Sequence, residues 1–157
     1  MGISTASAKP PTVEQFLLAF DAFAQAVRRA RGARAADPDS GLTLSQYGLL
    51  EPLADRADAR VSELAERAGI APSTASRMLD ALERRGIVAR KREAGDRRGV
   101  AVELTQAGAE VLSREHDWLR AHQRDFFASL PADERELAPD LLLRLAALID
   151  ELAAGPE

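Results

Sequence analysis

Residues 73–99 hold eight basic side chains, Arg77, Arg84, Arg85, Arg90, Lys91, Arg92, Arg97 and Arg98, against four acids, Asp80, Glu83, Glu93 and Asp96. The segment therefore stands at +4 in a chain whose net charge is −4, and the remainder carries −8. A basic stretch in an acidic body has the electrostatics of a phosphate-binding face, because the surrounding acids discourage unspecific adhesion elsewhere. Beside Arg77 stand three hydroxyls, Ser73, Thr74 and Ser76. A guanidinium donates twice to guanine N7 and O6, hydroxyls reach base edges, and the start of a helix attracts phosphate through its free N–H groups. The pair Arg97-Arg98 suits phosphates and the narrow, negative minor groove, and Asp96 is placed to orient one of these arginines rather than to touch nucleic acid. Each group also has a purely structural reading. Ser73 and Thr74 would cap a helix, Arg77 would pair with Asp80 or Glu83 one turn away, and Arg97-Arg98 would be a solvated turn.

Other chemistry finds less support. The absence of cysteine excludes disulfides, thiol redox sensing and thiolate metal sites. His116 and His122 fall off a common helical face, a poor arrangement for one shared ion. Neither histidine has a nucleophile, a Gly-rich phosphate loop or a metal motif beside it, although Asp117 and Asp125 are near, so catalytic residues, metal and cofactor are not expected. Tyr47, His116 and Trp118 could line a small-molecule pocket or equally be core or interface. No stretch of about 18 apolar residues is present to span a bilayer, and no membrane role is expected. Residues 1–11 are rich in Ser, Ala and Pro around the single Lys9 and predict a disordered lead rather than a signal peptide, which places the protein in the cytoplasm.

The elements that must hold the basic segment follow from periodicity. Val13, Phe16, Leu17, Phe20, Phe23, Ala24 and Val27 recur at helical spacing over residues 12–31, and the Gly/Pro/Asp-rich residues 32–41 predict a loop. Thr43 and Gln46 form a capping-box pattern that opens a helix with Leu44, Tyr47, Leu50 and Leu53 inward, and Pro52 predicts a kink or an end near Glu51. A short helix follows over residues 61–68, with Ser62 as N-cap and Gly69 as stop. Pro72 then opens a second helix whose stripe is Ala75, Met78, Leu79 and Leu82, ended by Gly86. Ala65, Gly69, Ala75 and Met78 stand where a helix-turn-helix needs a small residue at the crossing, a glycine in the turn and apolar contacts in the second helix. The residues from Ile87 to Leu104 predict a β-hairpin with a charged tip around Glu93-Ala94-Gly95-Asp96. Thr105 caps a long helix to about Ser129, and Pro131 opens a last one with a seam of Leu137, Leu141, Leu142, Leu145, Leu148 and Leu152.

This order of motifs resembles the MarR family of bacterial regulators. The resemblance rests on the Leu-Thr-x-x-Gln helix at Leu42, Ser-Glu-Leu-Ala at Ser62, Ser-Thr-Ala-Ser-Arg at Ser73, Arg-Arg-Gly-Ile-Val at Arg84, Asp-Arg-Arg at Asp96 and Leu-Thr-x-x-Gly at Leu104. It implies a mainly α fold with a small β-hairpin wing, a winged helix-turn-helix over residues 42–104, and a helical dimerisation region from residues 12–34 and 105–155. It further implies a sequence-specific regulator, expected to repress, that binds double-stranded DNA at a pseudo-palindromic operator as a homodimer. Ser73, Thr74, Ser76 and Arg77 would then face the major groove, with Arg98 and its neighbour Arg97 in the minor groove. Regulators of this kind often answer to a small lipophilic or phenolic effector, whose binding residues the sequence leaves unidentified. Two departures from the pattern are a short wing turn and Pro52 within a helix that is normally uninterrupted. A winged-helix module that meets an acidic protein partner stays open as the rival reading.

Overall fold

The computed structural model describes residues 10–32, 41–92 and 100–155. Residues 1–9 of the expected lead, residues 33–40 of the expected loop and the wing tip at 93–99, with Asp96, Arg97 and Arg98, lie outside the described residues. The chain divides into two compact units, one reaching Glu115 and one from His116 onward.

In the first unit, α1 (Val13–Gly32) opens on Thr12, whose hydroxyl accepts from Gln15 N while its own N–H donates to Gln15 Oε1. The same Thr-x-x-Gln box opens α2 (Leu44–Leu50), where Thr43 and Gln46 exchange bonds of 3.0 Å. Pro52 cannot donate to the carbonyl of Gly48, so the helix tightens into a 3₁₀ turn over Glu51–Leu53. The inward stripe of α2 differs from expectation at one place: Leu49 is fully buried and Leu44 is exposed. Leu44 sits at the edge of the face that Leu50 and Leu53 define, on the first turn.

Next come β1 (Ala59–Arg60), α3 (Val61–Arg67) and α4 (Pro72–Arg84). The N-cap of α3 is Arg60 rather than Ser62, which lies exposed in the first turn. Its helix start is secured from the third helical position, because the Glu63 carboxylate accepts from Arg60 N at 2.9 Å. The hairpin is β2 (Val88–Arg92) with β3 (Val100–Leu104), antiparallel, Arg90 opposite Val102. β1 adds an edge strand, pairing Ala59 with Val102 and Arg60 with Ala101, so β3 is central in a three-stranded sheet. Two residues are too few to show an alternation, and β1 left no trace in the sequence pattern. The core beneath holds Leu42, Leu49, Leu50, Leu64, Leu79, Leu82 and Val102, each at most 1% exposed.

α5 (Gln106–Ser129) starts in this unit and contributes Gly108 and Leu112 to its core. The second unit holds the remainder of α5 and α6 (Ala132–Ala154), which follows the N-cap Pro131. α6 runs on through Pro139, which cannot bond the carbonyl of Arg135, and it has no buried residue in the isolated chain. No helix among the described residues is long and apolar enough to cross a membrane.

Candidate nucleic-acid interface

α3 and α4 are joined by a tight turn closed by backbone hydrogen bonds. At the end of α3, Gly69 takes φ 62°, its N–H donates to Glu66 O at 3.1 Å, and Ile70 N donates to Ala65 O at 3.0 Å. Only a residue tolerant of left-handed backbone closes the helix this tightly. Ala65 and Ala75 are both buried and let α3 pack directly on α4. Pro72 occupies the first helical position of α4 and brings no N–H, Thr74 N donates back to Ala71 O at 2.9 Å, and no side chain caps the helix, so in its first turn Ser73 N is the donor without a partner among the described residues.

The buried stripe of α4, Ala75, Leu79 and Leu82, dictates which residues face out. Ser73 and Arg77 are exposed, with Thr74 and Ser76 half-buried on either flank, so the structure brings the four expected residues together on one side of the helix start. Arg84, exposed two turns on, extends the line of Ser73 and Arg77, a role that the spacing 73-77-80-84 encodes and the expectation omitted.

Arg77 makes no ion pair with a described residue, and Asp80 and Glu83, its partners in the purely structural reading, are engaged elsewhere. Arg90 reaches from β2 to α4 and donates through Nη2 to Asp80 Oδ1 and through Nη1 to Glu83 Oε2, both at 2.6 Å. The hydrogen bond to Asp80 above all, with the negative charges of Asp80 and Glu83, raises the pKa of Arg90 above the usual arginine value against the opposing effect of burial. Of the eight basic residues of the segment, Arg90 is therefore engaged by carboxylates of the protein's own α4. On the neighbouring strands Lys91, well exposed, lies 3.8 Å from Glu103.

The hairpin is tied to both α4 and α5. Gly86 N donates to Glu83 O at 2.9 Å and Ile87 N to Leu82 O at 2.9 Å, closing α4 and sending Ile87 into the core. Thr105 then bridges: its N–H and hydroxyl meet Ile87 O, its hydroxyl also reaches Gly86 O, and the same oxygen accepts from Gly108 N at 2.9 Å. A Cβ on Gly108 would run into the Ile87 carbonyl, so the first turn of α5 can lie this close only with glycine there. The Leu-Thr-x-x-Gly motif is thus a steric and capping device. At the far end of α4, Arg85 Nη2 donates to Gly41 O at 2.9 Å and secures the segment ahead of α2.

The aromatic candidates separate. Tyr47 is buried in the first unit with its hydroxyl 3.4 Å from Glu51 Oε1. In the second unit Trp118 stacks on His122 at 4.2 Å, and His122 Nδ1 lies 2.8 Å from Trp118 O, while His116 is half-buried.

Comparison with known proteins matches residues 42–100 to the model of the MarR family. Transcriptional regulator HosA of Escherichia coli is 32% identical over 104 residues, which span 66% of this chain and 77% of that protein. Streptococcus pneumoniae FabT, solved in complex with DNA, superposes with a TM-score of 0.69 at 17% identity, over 89% of this chain and 96% of the other. Streptomyces coelicolor PcaV, solved with its natural ligand, gives a TM-score of 0.66 at 24% identity, over 89% and 98%. The reading-helix geometry, the wing and these likenesses agree: the chain belongs to the MarR family of DNA-binding transcription regulators.

Proposed function

We propose that the protein is a repressor that binds a pseudo-palindromic operator as a homodimer in the cytoplasm. Ser73, Thr74, Ser76 and Arg77 contact base edges in the major groove; Arg97 and Arg98 enter the adjacent minor groove, with Asp96 orienting them. The observation that carries this reading is Arg77 itself, exposed among three hydroxyls at the start of α4 with its neighbouring carboxylates already engaged by Arg90. An arginine with no ion pair among the described residues, near a helix start, is poised for an outside acceptor.

Residues 42–104 form the DNA-reading lobe, and residues 12–34 with 105–155 the dimerisation region. Support for the dimer is the apolar surface that one chain leaves open: Phe16, Leu17 and Phe23 on α1, and Leu141, Leu142 and Leu152 on α6, are each more than 45% exposed. Faces of this size are normally covered by a partner. The PcaV complex supports a small-molecule effector that relieves binding; its binding residues in this chain are unassigned. Such a ligand acts by preferring the arrangement that does not fit DNA.

Sequencing the genomic fragments retained by the purified protein tests the reading, with retention measured across a salt series. Enrichment of one pseudo-palindrome with half-sites about one helical turn apart is expected, and about six neutralised phosphates give a log–log salt slope near −5. Retention of random fragments alone, or none, rejects sequence-specific regulation.

A further inference from the structure

Arg90 has no counterpart in the proposed set of DNA contacts, yet both of its terminal amino groups are engaged by carboxylates. Its guanidinium fork spends one amino group on Asp80 and the other on Glu83, both on α4. Its backbone lies in the hairpin, in register with Val102 of the central strand, which is fully buried. The chain from α4 to β2 turns at Gly86, with φ 70°, the one left-handed residue between them. Packing of Ile87, the Thr105 bonds to the Gly86 and Ile87 carbonyls and the pairing of β1 with β3 fix the base and the β3 side of the hairpin, while β2 beyond Val88 needs its own attachment to α4. Arg90 supplies it, spanning from the third strand residue back onto the flank of α4.

We infer that Arg90 is a positioning residue, a strut that fixes the angle between hairpin and reading helix and thereby sets how well an operator is distinguished from random DNA. The inference rests on the DNA-reading role proposed above. Random DNA is held by backbone charge, which tolerates many relative placements of helix and hairpin; an operator requires α4 in the major groove and the hairpin on its flank in one register at once. Loosening the strut therefore costs operator binding and spares unspecific binding, since the pre-set geometry is what the specific complex uses.

The test compares full-length wild type, Arg90→Gln, Glu83→Gln and the double variant Asp80→Asn/Glu83→Gln on an operator obtained by genomic selection and on random duplex of equal length. Removing two acids beside a DNA-binding helix should tighten all binding if charge alone matters. The strut gives the opposite sign where it counts: in the double variant the operator-to-random ratio falls about three- to thirtyfold, the range for losing two half-exposed ion pairs. Arg90→Gln shows the same fall with an unchanged salt slope, and Glu83→Gln, which keeps the Asp80 bond, falls less. A slope lower by about 1 in Arg90→Gln makes the residue a phosphate contact and overturns the strut. An unchanged ratio in folded Arg90→Gln and in the double variant, whatever their melting temperatures, overturns it too and leaves the ion pairs a matter of stability. Should Arg90→Gln fail to fold, the sign of the ratio change in the other variants decides. A wild type that does not discriminate operator from random DNA fails a different arm, and then it is the DNA-reading role itself that falls.

Discussion

At the scale of single residues, two positions carry opposite consequences for the same chemical change. Gly108 abuts the Ile87 carbonyl, whereas a Cβ on Gly48, inside α2 and with no unusual backbone angle, would meet nothing within 4 Å. Gly108→Ala is expected to destabilise the fold by about 1 to 3 kcal/mol through forced separation of α5 from the hairpin. Gly48→Ala should stabilise it by about 0.5 to 1 kcal/mol through helix propensity. Denaturant midpoints measured side by side would show shifts of opposite sign, and a shared sign would refute the steric account of Gly108. For function, Arg77→Ala should weaken operator binding by about 1 to 3 kcal/mol and relax preference at one base pair, while Arg98→Ala weakens operator and random DNA more evenly. Competition binding against single-base operator variants separates the two, and an unaltered preference in Arg77→Ala would reassign that residue to phosphate.

Among the elements, the junction of α4, the hairpin and α5 depends on Thr105, which caps α5 through Gly108 N and holds the Gly86 and Ile87 carbonyls. Thr105→Ala should cost about 1 to 2 kcal/mol, and Thr105→Ser, which keeps the oxygen, much less. Thermal melts of the pair check this; equal losses would point to the lost methyl group instead. Most of these elements were legible in the sequence because each has a local chemical marker: Thr43 with Gln46, Pro72, Gly69 and Gly86 stand at the boundaries they announce. What was illegible has no local marker. β1 exists only because Ala59 and Arg60 lie beside β3, and the burial of Leu49 in place of Leu44 reflects where neighbouring helices pass. The site divides in the same way. The hydroxyl–arginine cluster on α4 could be read from spacing, but the engagement of Arg90 by Asp80 and Glu83 could not, since these partners on α4 are brought near only by the fold of the hairpin.

For the molecule as a whole, the distribution of charge and of apolar surface assigns different tasks to different parts. In the proposed reading, a basic segment inside an acidic chain concentrates attraction for DNA on α4 and the hairpin, with its strength tunable by salt. The helices α1 and α6 are the apolar counterpart, and no residue of α6 is fully buried within a single chain. That last feature ties folding to mass action. With a homodimer as the proposed working form, the melting temperature should climb as the protein is concentrated, by several degrees between about 1 and 100 μM, and a constant value would mean that α6 is stable unaided. Operator occupancy would then grow with the square of the chain concentration while monomers predominate. A cell could set the threshold of repression through the number of copies it makes, before any ligand is present.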